Sequence, residues 1–206
     1  MKLYIKIFLI SLIPVLFFSC KPNYTREQKT YIASVEKQRA DKNLEMQNDT
    51  GSPFKRDSSI KFEPLKYYDV DPAFVFKSKL FLYANQDTVV TQGTKGDVRK
   101  VVKIGFVNFR HDGKTYKINV YHGVSRTGIS YHTIWFTDKT TGDETYGVGR
   151  YIDFELHKNP DFVYTIDFNL AYNPYCSYSA LYSCSMPTKE DYIDLAIKAG
   201  EKKFHH

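Results

Sequence analysis

The sequence lacks several features that would point to a class of function. Among its 206 residues it has three cysteines and one tryptophan, and it shows no internal repeat. A nucleic-acid-binding protein would carry a basic patch or stripe, and none is visible. The formal net charge of +6 falls to +4 without residues 1–19, which contain two lysines and no acid. We therefore expect no nucleic-acid partner.

The chain also lacks an apolar run long enough to cross a membrane, which needs about 20 residues. Its apolar run, residues 7–18, follows Lys2 and Lys6 and ends at Ser19-Cys20. This pattern is typical of a secretory signal, and it resembles a bacterial lipoprotein signal in which Cys20 becomes the lipidated first residue. An uncleaved anchor with an incidental Cys20 is the alternative. Both interpretations place the protein in the cell envelope, tethered on the periplasmic face or the outer surface.

Residues 20–59 are predicted to form a lipidated helical spacer and linker. Thr25 and Gln28 have the spacing of a capping box, so we expect a helix from there to about Leu44. Its apolar stripe is narrow, which favours a solvated spacer over a partner-binding helix. Residues 47–59 are polar and rich in turn-forming residues, as in a linker.

Residues 60–206 are predicted to form one β-rich domain. Aromatic residues make up 16% of the chain, with 17 Tyr and 15 Phe, and both types suit pleated, half-buried surfaces. The Asp112-Gly113 pair between two apolar runs is typical of a two-residue hairpin. Ile193, Leu195 and Ile197 alternate with polar or small residues, which indicates a closing strand. Short strands separated by turns favour a mainly β fold, an antiparallel sandwich or barrel-like domain.

Residues 144–184 have the highest density of Gly, Arg, Asp, Asn and Tyr, so we place a candidate pocket here. Arg150 is predicted to belong to a charge cluster with Asp153 and Asp167. Such an arginine can hold a carboxylate or phosphate ligand, but neutralising a partly buried aspartate is the favoured role. The spacing of the oxygen ligands does not match a calcium loop, so no metal or other cofactor is expected. The candidate pocket comprises Tyr146, Gly147, Gly149, Arg150, Asp153, Asp167, Asn169, Asn173 and Glu201.

Cys176 and Cys184 are the cysteines that remain after Cys20 is assigned to lipid. In an oxidising compartment, two cysteines in one loop most simply form a disulfide. A metal site would need further ligands, and no CxxC or HxxxH spacing supplies them. A catalytic thiol would need a neighbouring base, which the sequence does not identify. Two independent buried thiols are the remaining alternative.

The same region carries a family resemblance. It reads ETYGVGRY at residues 144–151, DFNLAYNPYC at residues 167–176 and AGEK at residues 199–202. Over about residues 54–204 the chain resembles the domain-of-unknown-function family numbered 1684. The resemblance implies a shared fold unit and no activity.

Two classes of function compete on these residues, with a third behind them. The first is a non-catalytic binding or accessory lipoprotein whose tyrosines bind a glycan, a peptide or a protein. The second is a hydrolase-like enzyme using the Arg, Asp and Asn side chains of residues 147–173 together with Glu201. The third is a metal-binding protein using Cys176 and Cys184. Because no catalytic set is recognisable, we favour the first.

A disulfide between Cys176 and Cys184 has a measurable consequence. Replacing either cysteine, or both, by serine should lower the free energy of unfolding by about the same amount, on the order of 2–4 kcal/mol. Urea unfolding measures this, and an intact mass two hydrogens lighter than the dithiol form would report the bond directly. Strongly unequal single substitutions would instead indicate a reactive or metal-binding thiol.

Overall fold

The structure is a computed structural model that describes residues 23–125 and 127–204. The signal predicted at residues 1–19 and the lipidation site Cys20 lie outside these ranges. Within them, no helix is both long enough and apolar enough to cross a membrane. The helices are α1 (Arg26–Asn48) and α2 (Pro53–Arg56). The strands are β1 (Val75–Lys79), β2 (Phe81–Leu82), β3 (Thr88–Gln92), β4 (Val98–His111), β5 (Lys114–Val124), β6 (Ser130–Asp138), β7 (Arg150–Asp153), β8 (Val163–Asp167) and β9 (Tyr192–Ile193).

The larger sheet has the strand order β2-β4-β5-β6-β7, with β3 also on β4 and β9 also on β6. Its pairs are antiparallel except β6 with β9, which is parallel. The tight β4–β5 turn places Asp112 at φ 46° and Gly113 at φ 78°. Both positive values are those of a two-residue hairpin turn, so this prediction is confirmed.

The smaller sheet, β1 paired with β8, packs on one face of the larger sheet. The ring of Phe76 lies 4.6 Å from that of Phe109 and 5.9 Å from that of Phe168. Apolar side chains from both sheets form one buried cluster. The larger sheet stays open, so the domain is a mainly β sandwich and not a closed barrel, in agreement with the predicted fold class.

The predicted closing strand is wrong beyond its first residues. Only Tyr192–Ile193 pair with β6, through Thr137 and Asp138. Further on, the Ile197 N–H donates to the Asp138 carboxylate over 2.9 Å, and the Ile197 carbonyl accepts from Arg150 over 2.9 Å. Because side chains take the backbone groups that a ladder would use, this segment does not form a strand.

Helix α1 begins as predicted. The Thr25 hydroxyl accepts from the Gln28 N–H over 3.2 Å, and the Gln28 side chain accepts from the Thr25 N–H over 2.9 Å. The helix runs to Asn48, four residues beyond the predicted end.

The described part of residues 20–59 is packed on the domain, which corrects the expectation of a solvated spacer and polar linker. Val35 and Met46 are buried on α1, and Ser52, Phe54 and Asp57 are buried in the following segment. Phe54 packs 5.5 Å from the Tyr178 ring and 5.3 Å from the Phe204 ring. Polar side chains of α1 add docking contacts to this narrow apolar stripe, among them Tyr31, Arg39 and Lys42.

Gly200 supplies a test of the close packing against the segment that follows β8. It has φ +77°, and a Cβ there would lie 2.6 Å from the Phe168 carbonyl oxygen and 2.7 Å from that of Ala171. We expect Gly200→Ala to cost about 1–2 kcal/mol in backbone strain and about 1–3 kcal/mol more in overpacking, measured by urea unfolding.

Gly96 is the matched control, because it has φ +80° with nothing within 4 Å of a Cβ. Gly96→Ala should show the strain cost alone. Equal losses at the two positions would contradict the close approach at Gly200.

Candidate functional site

Arg150 has a structural role inside the protein and is not a ligand-binding arginine. It is 1% exposed and lies 3.0 Å from the Asp138 carboxylate. Its guanidinium also donates to the carbonyls of Ile197 and Ala199. Arg150 therefore neutralises a buried aspartate, as the favoured interpretation holds, but its partner is Asp138 and not the predicted Asp153 or Asp167.

Asp138 also organises the turn that leads to Arg150. Its carboxylate accepts from the Thr140 N–H over 3.1 Å and from the Thr140 hydroxyl over 2.7 Å. After this turn, Gly149 at φ +113° passes close to β6, where a Cβ would lie 2.5 Å from the Phe136 carbonyl oxygen. Gly149 thus permits the close backbone approach, whereas Gly147 is exposed in the turn.

Asp167 and Asn169 form a second network beneath the first half of α1. The Tyr31 hydroxyl donates to Asp167 over 2.7 Å and accepts from the Asn169 amide over 3.0 Å. The Asn169 side chain also bonds both backbone groups of Asp71 at 2.9 and 2.8 Å. These side chains connect α1, the start of the domain and the end of β8.

Glu201 and Asn173 form a third network, farther along α1. Glu201 is 0% exposed, and its carboxylate accepts from the Asn173 N–H over 3.1 Å and from the Asn173 amide over 2.9 Å. The Tyr178 hydroxyl donates to it as well, and Lys42 of α1 lies 3.4 Å away. Burial raises the pKa of the Glu201 carboxyl, an effect that Lys42 opposes.

The predicted pocket residues therefore divide among separate networks, and they do not all converge on one cleft. Asp153 is exposed and accepts from the Tyr172 hydroxyl over 2.6 Å. The Tyr146 hydroxyl donates to the Cys176 carbonyl over 3.3 Å. Most of these side chains hold chain segments together.

The structure places a cavity of about 950 Å³ beside these networks. Residues 38–46 of α1 form one wall. The opposite wall comes from β7, the start of β6 and the segment 169–184. We call this the tyrosine cavity. In the described ranges its lining includes the tyrosines Tyr67, Tyr131, Tyr151, Tyr172, Tyr175 and Tyr182, with Arg39, Lys42, Asp153, Asn169, Asn173 and Cys184.

The hydroxyl groups of this cavity differ in their partners. The Tyr151 hydroxyl donates to the Ser185 carbonyl, and that of Tyr172 donates to Asp153. Within the described chain, the hydroxyls of Tyr67 and Tyr182 are shielded from solvent and have no hydrogen-bond partner. Burial raises the pKa of Tyr151 and Tyr172, so these phenols stay protonated.

Two further buried polar atoms on the cavity lining also lack partners in the described residues. They are the Asn173 Oδ1 and the Arg39 Nε. Native interiors leave few buried polar groups unpaired, and four such atoms belong to residues that line this one cavity.

Several residues of the cavity were not predicted from the sequence. Arg39 donates to the backbone carbonyls of Tyr68 and Asn169 at 2.8 and 3.1 Å, and its guanidinium lies 4.6 Å from the Tyr67 ring centre. Lys42 lies 4.7 Å from the Tyr172 ring centre. A cationic residue on a polar helix carries no local signal of such a role.

Cys176 and Cys184 are neighbouring free thiols in this structure, so the expected disulfide is not formed here. The Cys176 N–H donates to the Cys184 sulfur over 3.3 Å. Hydrogen bonding from Cys184 lowers the pKa of the Cys176 thiol to about 7, while the same contact raises the pKa of Cys184. No group of three or more His, Cys, Asp or Glu side chains suited to a metal ion occurs in residues 23–125 and 127–204.

Comparison with known proteins assigns the family. Residues 60–202 match the family model described as Protein of unknown function (DUF1684). The chain belongs to this family. No curated protein matches the chain.

A solved relative shows the same fold. The chain is 26% identical to an uncharacterized protein from gene locus rrnAC0354 of Haloarcula marismortui, whose solution NMR structure matches with a TM-score of 0.62. The alignment covers 87% of this chain and 98% of that one. Residues 60–206 are 147 of the 206 residues, or 71%, so the alignment extends into the segment that contains α1 and α2.

We expect the Lys42–Glu201 pair to make the free energy of unfolding depend on pH. Because the pKa of Glu201 is raised above its ordinary value of 4.5, the unfolded chain releases this proton at a lower pH than the folded chain. Stability therefore falls as the pH rises from 4.5 through the raised value. Lys42→Met should deepen that fall, with a loss of about 1–3 kcal/mol at about pH 8 and a smaller loss at about pH 4, measured by urea unfolding.

The matched control is Lys37→Met. Lys37 pairs with Asp41 on α1 with side chains 76% and 57% exposed, so we expect a loss below about 1 kcal/mol. An equal loss for Lys42→Met at both pH values would show that Lys42 does not act through the buried carboxylate.

Proposed function

We propose that this protein is an exported, lipid-anchored binding module of the cell envelope, and that the tyrosine cavity is its binding site. The observation that carries this proposal is the concentration of unpartnered polar groups around a cavity of about 950 Å³. Known ligand sites have volumes of about 300–1,000 Å³ and a small number of polar groups that orient the ligand.

The hydrolase alternative receives less support from the geometry. It requires two carboxylates in one cleft with their pKa values pushed apart. Asp167 and Glu201 lie in separate networks with Tyr31 and Lys42, and of the candidate carboxylates only Asp153 lines the cavity. The arginine on which that alternative depends is bound to Asp138.

The lipid anchor is supported by the sequence pattern that ends at Cys20. Helix α1 begins at Arg26, six residues later. Six residues span at most about 22 Å, so a lipidated Cys20 holds the domain close to the membrane surface. In this oxidising compartment we propose that Cys176 and Cys184 form their disulfide, which the contact between the Cys184 sulfur and the Cys176 N–H supports.

A blocking substitution tests the cavity. Glu45 is exposed on α1 and lines the cavity, and we expect Glu45→Trp to fill part of it and to weaken ligand binding roughly tenfold or more. The full chain is extracted from the membrane fraction in detergent, its intact mass is read for lipid on Cys20, and it is titrated with panels of oligosaccharides, tetrapeptides and inorganic anions.

Glu36→Trp is the control, because Glu36 is exposed on the same helix and does not line the cavity. Its affinity should equal that of the wild type. Binding that is insensitive to Glu45→Trp, or no binding across all panels, would overturn the cavity as the site. An unmodified Cys20 in mature protein would overturn the lipid anchor.

A further inference from the structure

We propose that the ligand of the tyrosine cavity is a neutral carbohydrate. This inference rests on the proposed binding function and names its ligand class. It depends on the buried hydrogen-bonding groups that lack partners in the described residues, the aromatic surfaces, the charge of the lining and the backbone edges of the cavity.

The unpaired hydrogen-bonding groups are mixed in type. The Asn173 Oδ1 accepts, the Arg39 Nε donates, and the Tyr182 hydroxyl does either. The hydroxyls of Tyr131 and Tyr175 also lack a partner in the described part of the chain and are more accessible. A ligand rich in hydroxyl groups donates and accepts at every position, whereas an apolar ligand would leave these groups unpaired.

The aromatic surfaces suit a ring with an apolar face and a polar edge. Tyr131 lies over Gly123, where a Cβ would fall 2.5 Å from the tyrosine ring. Tyr175 is 39% exposed and meets the Tyr182 ring edge-on at 5.2 Å. Tyrosines offer broad apolar surfaces with a polar end at low entropic cost.

The charge of the lining argues against an ionic ligand. In the described ranges the cavity carries the cations Arg39 and Lys42 and the carboxylates of Asp41, Glu45 and Asp153, so an anion meets a small net negative charge. The cations already lie over the Tyr67 and Tyr172 rings at 4.6 and 4.7 Å, where a cationic ligand would have to compete with them.

The backbone of the cavity argues against an extended peptide. Peptides often bind by adding a strand to a sheet edge. The edge of β7 is already covered, because Tyr151 and Tyr172 exchange two backbone hydrogen bonds of 2.9 Å. A peptide entering the described cavity would find this strand edge occupied.

Tyr182 gives the decisive variant. Its hydroxyl is buried and unpaired in the described chain, so Tyr182→Phe should leave the melting temperature unchanged or raise it. If a sugar supplies the missing partner after a small side-chain rotation, the same variant should weaken its binding about fivefold. A purely structural tyrosine would not combine these two effects.

The experiment titrates the detergent-extracted full chain with tetrasaccharides built from glucose, galactose, mannose or N-acetylglucosamine. A uronate tetrasaccharide and a neutral tetrapeptide serve as the other ligand classes. We expect saturable binding of a neutral tetrasaccharide, weakened about fivefold by Tyr182→Phe and roughly tenfold by Tyr175→Ala. Tyr192→Phe, an exposed tyrosine outside the cavity, should have no effect.

The possible outcomes distinguish failure of the carbohydrate proposal from failure of the proposed binding function. Binding of the uronate or the tetrapeptide alone, lost in Glu45→Trp, would overturn the neutral carbohydrate and leave the binding function standing. Neutral-sugar binding that Tyr182→Phe and Tyr175→Ala leave unchanged would overturn the contacts proposed here. No binding by any class would overturn the carbohydrate and the binding function together.

Discussion

The buried pair of Arg150 and Asp138 is the interaction on which the site depends. Removing one partner of such a pair strands the other charge in the interior, at a cost of about 3–5 kcal/mol. The pair holds β6 to β7 and fixes the carbonyls of Ile197 and Ala199. That segment leads directly to Glu201, whose carboxylate reaches Lys42 of α1. The position of one cavity wall therefore follows from a charge pair that does not line the cavity.

The residues of the family resemblance have mainly an architectural role. Asp167, Asn169, Asn173 and Glu201 bond to backbone groups or to side chains from distant segments. A stretch rich in carboxylate and amide side chains resembles a catalytic site. Structural networks and catalytic sites both need these groups at fixed positions. Burial and partners distinguish the two, and here the partners are within the protein.

Local features of the fold were predictable from the sequence, and long-range contacts were not. The Asp112-Gly113 turn and the capping box at Thr25 each depend on a few adjacent residues, and the structure contains both. The partner of Arg150 is Asp138, twelve residues away across a turn. Several aspartates were candidates, and composition alone does not identify which of them forms the pair. The docking of α1 was missed because Arg39 and Lys42 reach the domain through polar groups. The tyrosines that line the cavity come from distant segments of the chain, so no single stretch of sequence predicts it.

Helix α1 lies outside the residues that match the family model, yet it forms one wall of the cavity. The part of the chain that matches the family model binds the helix through the carboxylate of Glu201 and the carbonyl of Asn169. Gln38 and Glu45 of α1, which lie on either side of Arg39 and Lys42 in the sequence, line the cavity. Substitutions on this exposed face of α1 can therefore change the lining of the cavity while the sheet beneath it stays unchanged.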